Sequence, residues 1–310
     1  MANAINIIIA AGHSALDVAI YTLLPIMVVM TILLRLLEVY GILGWIVRGL
    51  SPLTRPFGLT GLGGLAVLQT TLISFIAPLP TLKMMERKGV SDRHLAAALG
   101  AVFASATANA AYPLSVFGLD IGMTILLSVL GALVAAATTY NIFGRKLSST
   151  ELLPEEEAPS AQTRPGLMTV INESGGQAVQ SIGNIIPMLL VSLVVVFALQ
   201  AAGAVDWMVA TFGPVLQAAG GDSAYILPTL TKVLAGGSAM VAVFQHMANE
   251  PNFDPMMILR GSGILINPLD LPGIGIFAAA GPRLARVMMP AIAGGMAAIL
   301  VRSIAASWLW

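Results

Sequence analysis

The chain is written twice. At a constant offset of 162 residues Pro25 meets Pro187, Gly41 meets Gly203, Trp45 meets Trp207 and Pro52 meets Pro214, with apolar runs aligned between them. Four such matches without a gap are not a chance pattern, so whatever one half folds into, the other must fold into as well. The halves are residues 1–143 and 167–310. Between them, residues 144–166 carry Glu155, Glu156, Glu157, internal prolines and polar side chains, the composition of a solvated cytoplasmic linker.

The solvent for this fold is set by composition. Of 310 residues 57% are hydrophobic and 10% charged, where a soluble domain carries about 25% charged. Several apolar runs reach the ~20 residues needed to cross ~30 Å of hydrocarbon. An all-α integral membrane protein is expected, its halves two membrane repeats. Zero formal net charge removes the electrostatic footprint of nucleic-acid binding. With no cysteine there are neither disulfides nor thiolate metal sites. The first residues lack a basic region and a small-residue cleavage site, so they read as mature protein.

Each half divides into the same parts. An amphipathic lead-in (6–19, 169–182) runs into a span (20–37, 183–199), then a short segment holding the paired tryptophan (39–56, 202–217). A hydrophobic stretch comes next (59–85, 223–247), and two further spans close each half (94–112 and 118–143; 256–280 and 287–310).

Charge decides how these thread. Segment 83–94 holds Lys83, Arg87, Lys88 and Arg93 against Glu86 and Asp92, whereas its counterpart 245–256 holds only Glu250 and Asp254. Equivalent loops of opposite sign belong on opposite sides under the positive-inside rule. The halves are then inverted repeats with an odd number of crossings each. That works if 59–85 and 223–247 are re-entrant hairpins, breaking at Ile73-Ser74-Phe75 and Ala235-Gly236-Gly237-Ser238. Arms of ~13 residues at 1.5 Å rise bring such tips near the midplane. The expected architecture is two inverted repeats, each of three transmembrane helices, a re-entrant helical hairpin and an amphipathic helix, with both termini outside. Arg48, Arg55, Arg145, Lys146, Arg283 and Arg286 join the cytoplasmic charge. Arg302 resists this scheme, and is expected to snorkel or to face the linker of a partner chain.

The second half carries a sharper signal. Ile264–Gly275 reads Ile-Leu-Ile-Asn267-Pro268-Leu-Asp270-Leu-Pro272-Gly-Ile-Gly inside an otherwise membrane-compatible run. Two prolines four apart remove backbone donors, so the chain unwinds there, and unwound backbone at membrane depth is tolerated only where protein or a wet cavity satisfies it. The first half has a milder break at 103–113, with one proline.

Candidate substrate- and ion-binding residues are the polar ones at this depth. They are Thr229, Thr231, Lys232, Ser238, Asn267 and Asp270 in the second half, and Gln69, Thr70, Ser74, Ser105, Thr107 and Asn109 in the first. Hairpin tips and broken helices meeting at the midplane offer free amides to an anion and free carbonyls to a cation. Lys232 and Asp270 form a buried ion pair locking hairpin to break, or Asp270 binds sodium or a proton, or Lys232 meets an anionic substrate. No nucleophile, base and orienter set points to an enzyme. No metal cluster or cofactor is expected, beyond a coupling Na+ or H+.

The Pro-led span, the Gly–Trp amphipathic segment, the Gly-Gly-Ser hairpin and the Asn-Pro-Leu-Asp-Leu-Pro break resemble the nucleoside-recognition, or Gate, domain membrane proteins. That group includes the spore maturation proteins A and B and the gate region of ferrous-iron transporter B, and it is similar to concentrative nucleoside transporters. The resemblance implies a membrane transport scaffold with hairpins at its centre. The absence of cysteines and of a GTPase domain argues against iron. The glutamate-containing binding motifs of the nucleoside transporters are not found at hairpin or break, so the resemblance carries the scaffold and not the nucleoside.

The expectation is therefore a multi-pass inner-membrane secondary transporter for a small polar or anionic solute, proton- or sodium-coupled, with a homodimer as its expected assembly. A non-transporting assembly or signalling protein and a channel are the alternatives; a polar cavity at the Asp270 break separates the first of these from transport.

Overall fold

The computed structural model describes residues 2–42, 45, 48–49, 52, 54–87, 89–150, 166–203, 207, 210–211, 223–249 and 253–310. Residues 151–165 of the acidic linker and parts of both tryptophan segments lie outside these. All regular secondary structure among the described residues is helical, with no strand.

Lead-in and span are continuous in both halves. Helix α1 (Ala2–Leu16) passes through a π-helical stretch, Asp17–Leu23, into α2 (Leu24–Val39). In the second half the counterpart is a single 35-residue helix, Leu167–Ala201, numbered α8 in chain order. The ends Val39 and Ala201 keep the sequence offset, and Gly41 and Gly203 come after them at φ +76° and +71°. The repeat is thus written into backbone conformation as well as into residue identity.

Each hydrophobic stretch is two short helices. The first holds α3 (Gly61–Leu72) and α4 (Leu79–Arg87), the second α9 (Ile226–Ala235) and α10 (Gly237–Met247), packed on each other. Thr60 starts α3, its Oγ1 accepting from the Gly63 amide at 3.1 Å. One residue separates α9 from α10: Gly236, at φ 87° and ψ 173°. Only glycine occupies that region without strain. Gly236→Ala is therefore expected to cost about 2 kcal/mol of unfolding free energy, read by thermal unfolding of the purified protein; an unchanged midpoint would contradict the assignment.

The third part of each half is a broken helix. Helices α5 (Asp92–Ala104) and α6 (Ala108–Ser115) flank one break, α11 (Met256–Leu265) and α12 (Leu271–Ala279) the other. Proline does not make the first break. Pro113 lies inside α6, where it forfeits one amide bond; the chain unwinds at Ser105 and Thr107, both extended at ψ 145° and 128°. Each half closes with a long helix, α7 (Ile121–Thr138, continued by a π turn Thr139–Phe143) and α13 (Pro282–Leu309). Among the described residues Asp92–Ser115, Ile121–Phe143 and Pro282–Leu309 are long and apolar enough to cross a membrane.

Packing centres on α5, whose residues 95–104 are all buried, against α3, α7 and α13, with α11 also laid on α13. Alanine makes the approach close on the other side, where Ala11, Ala15 and Ala19 meet Ala178 of α8 and Ala235 and Ala239 of the α9–α10 pair. Segment 83–94 meets the start of α13 at one end of the fold. Arg283 donates to Asp92 Oδ1 at 2.6 Å and to the Glu86 carbonyl at 2.8 Å, and its amide donates to Glu86 Oε1 at 2.8 Å. Arg93 Nε donates to the Tyr140 carbonyl at 2.7 Å. Elsewhere Arg260 Nε reaches the Trp310 carbonyl at 3.2 Å, joining the middle of α11 to Trp310.

Candidate functional site

The two breaks and the two helix-pair turns converge on one cavity of about 320 Å³. Phe75 and Ile76 come from the α3–α4 turn, Thr107 and Asn109 from the first break, Gly236, Gly237 and Ser238 from the α9–α10 turn, and Asn267, Pro268, Asp270 and Pro272 from the second. Three helices begin at its wall: α6 after Thr107, α10 after Gly236 and α12 after Asp270. The first amides of a helix have no partner within it and carry the positive end of its dipole. The wall therefore presents helix-start amides set among apolar side chains.

Asp270 is the one carboxyl group on it. Its residue is extended (φ −144°, ψ 170°) and caps α12, Oδ1 accepting from the Gly273 amide at 2.7 Å. The residue is 5% exposed, and Oδ2 accepts no hydrogen bond from a described residue. A Cβ on Gly236 would stand 3.7 Å from Oδ2, so the glycine at that turn also leaves the oxygen open. Opposite, Asn109 Nδ2 donates to Ser238 Oγ at 3.3 Å and its Oδ1 accepts from the Phe75 amide at 3.4 Å. One side chain of the first break thereby touches both helix pairs.

The ion pair weighed for Lys232 and Asp270 is absent: no contact within 4.0 Å joins them. Lys232, 3% exposed, donates to Asn267 Oδ1 at 2.6 Å and to the Leu269 carbonyl at 2.5 Å. It locks the helix pair to the break, as an ion pair would, but through an amide and an unwound carbonyl. That leaves the carboxylate free to face the cavity.

Thr107, Asn109, Ser238, Asn267 and Asp270 line the cavity; Lys232 stands behind Asn267. The other candidates are turned to the fold. Gln69 Oε1 accepts from Thr81 at 2.7 Å, tying α3 to α4. Thr70 and Ser105 donate to carbonyls one turn back, at 2.8 and 2.7 Å. Ser74 Oγ accepts from the Ile76 amide at 3.4 Å within its turn. Thr229 is half-buried on α9, and Thr231 is fully buried with its hydroxyl unpaired among the described residues.

Two residues outside the candidate set complete the first break. Ser128 Oγ of α7 accepts from the freed Ala106 amide at 2.7 Å and shares a hydrogen bond with Thr71 Oγ1 at 2.9 Å. The first break is thus held by Ser128, itself bonded to Thr71 of the preceding helix pair, and the second by Lys232 and Arg302, the latter reaching the first break as well. Arg302 neither snorkels nor faces a linker. It is 2% exposed and donates to backbone carbonyls of both broken helices. A guanidinium with carbonyl acceptors at hand stays inside, since leaving would strand them unpaired.

Residues 20–123 match the Gate family, described as nucleoside recognition. The fold is that of the concentrative nucleoside transporter CNTnw. In its inward-facing substrate-bound state it is 13% identical, with a TM-score of 0.65 over 92% of this chain and 74% of that one. A doubly substituted form in an outward-facing state gives 14% and 0.70 over 93% and 74%. A singly substituted form in an intermediate state gives 14% and 0.64 over 98% and 84%. No curated protein matches the chain. The domain match lies within the first half, and the shared fold extends over both.

Proposed function

We propose that the protein is a secondary active transporter carrying a small polar or anionic solute across the inner membrane, coupled to protons or sodium around Asp270. The observation that carries this reading is the cavity at the meeting of both breaks and both helix-pair turns. A non-transporting scaffold has no use for a central cavity onto which Asn109, Ser238, Asn267 and Asp270 open.

Charge favours the anionic solute. Lys232, Arg302 and Asp270 are the buried ionisable side chains among the described residues, two basic groups against one acidic. Protonating Asp270 would make the centre more positive still, so solute anion and proton favour each other's binding, as co-transport needs. The threading proposed is two inverted repeats of three crossings each, with the α3–α4 and α9–α10 pairs as re-entrant hairpins. Its support is the gathering of Arg93, Arg283 and Arg286 at one end and the bond from Arg260 of α11 to Trp310 at the far end of α13.

The test is ligand-induced thermal stabilisation with inorganic phosphate, small carboxylates and nucleosides, on wild type and Asp270→Asn. Ligand that binds only the folded state raises its apparent stability by mass action. An anion is expected to stabilise wild type more at low pH than at high pH. Asp270→Asn, whose amide oxygen still caps Gly273, is expected to bind that anion without pH dependence and to move it in proteoliposomes only down its gradient. Absence of stabilisation by any of these solutes would count against the transport reading.

A further inference from the structure

Arg302 is a buried cation without an acidic partner: no carboxylate lies within 4.0 Å of it among the described residues. Its guanidinium is spread instead over the carbonyls of Ala104, by Nη1, and of Ile266 and Ser262, at 3.4 Å. Ala104 is the last residue of α5, and Ile266 ends α11. The carbonyls of Ala104 and Ile266 are ones that an interrupted helix leaves without amide donors, at the negative end of its dipole, whereas Ser262 also accepts from the Ile266 amide at 3.1 Å. One side chain therefore spans the negative ends of both broken helices. Gly131 of α7 makes room for it, since a Cβ there would fall 2.2 Å from Arg302 Cδ.

Unwound carbonyls at membrane depth are where sodium-coupled transporters hold their ion. A mobile cation placed between these two helix ends would meet a charge already there. We propose that Arg302 is a tethered cation that takes the place of a mobile alkali-metal ion between the two helix breaks, so that neither the assembly of the centre nor the transport proposed above requires sodium. This rests on the transport reading for its meaning in a cycle, but the cation's role at the carbonyls can be read without any solute.

The experiment compares thermal midpoints in sodium, potassium and choline chloride at equal ionic strength, for wild type and Arg302→Ala. Wild type is expected to give the same midpoint in all three, within about 1 °C. Arg302→Ala opens the carbonyl set beside Gly131; its midpoint is expected to fall by about 5 °C or more and to recover in part with sodium or millimolar methylguanidinium, but not with choline. A wild-type midpoint higher in sodium than in both other salts overturns the proposal. So does an Arg302→Ala protein that neither cation restores, which would make the arginine a packing element only. If Arg302→Ala yields no folded protein, Arg302→Lys keeps a point charge at the site. It is then expected to be unresponsive to sodium, and a sodium-specific gain in it overturns the proposal equally. The solute panel on wild type reads the transport function separately, so failure of one does not imply failure of the other.

Discussion

Gly273→Ala is expected to destabilise the protein by about 3 kcal/mol or more, while Gly275→Ala, two residues along the same helix, is expected to be neutral or to gain up to about 1 kcal/mol. A Cβ on Gly273 would stand 2.1 Å from the Pro268 carbonyl oxygen and 3.0 Å from Asp270 Oδ1, whereas nothing lies within 4 Å of one on Gly275. The Pro268 carbonyl is not free to move aside, because it accepts from the Asp270 amide at 3.1 Å, and the Asp270 carbonyl in turn accepts from Ile274 at 2.8 Å. The methyl must therefore push the whole turn from Pro268 to Gly273, and the carboxylate with it. Thermal unfolding of the two variants side by side, with the solute response measured on each, checks this. Equal midpoints would mean the turn is looser than its contacts require.

The same turn marks how far the sequence can be read. Pro268 and Pro272 remove amides, so a break there follows from covalent structure, and an acid beside it must face either a partner or a cavity. Gly236 between apolar runs is equally plain. The first break lies in the expected part of the chain for a different reason, because Pro113 is visible in a sequence and the extended conformations of Ser105 and Thr107 are not. Those depend on Ser128 taking the Ala106 amide from 22 residues away, and a serine in an apolar helix usually satisfies itself on its own turn. Arg302 departs from expectation for a related reason. Its place near the chain's end invites an exit to the interface, and nothing local reveals that Ala104, 198 residues earlier, supplies a carbonyl. Polar residues at depth are thus easy to find, but which of them face the cavity is decided by long-range packing.

Lys232→Met is expected to cost about 2 kcal/mol of stability and to weaken binding of an anionic solute at least about tenfold. Two effects oppose each other in the first figure. Removing the ammonium lifts the penalty of keeping a charge out of water, which is several kcal/mol. Against that, two charge-assisted hydrogen bonds disappear at about 1.5–3 kcal/mol each, and the Leu269 carbonyl loses its donor inside the protein. Asn267 Oδ1 keeps the Leu269 amide at 3.1 Å, which limits the damage to the break and sets the balance near the lower end. Double-mutant cycles identify the partner. Coupling of Lys232 to Asn267 is expected at about 1.5 kcal/mol or more, and coupling to Asp270 below about 1 kcal/mol. The reverse order would restore the ion pair that the geometry excludes, and would leave Asp270 occupied as a structural counter-ion. With the order as expected, the lysine fixes the backbone from behind while the carboxylate stays open to the cavity, and a proton can enter and leave it without unlocking the α9–α10 pair.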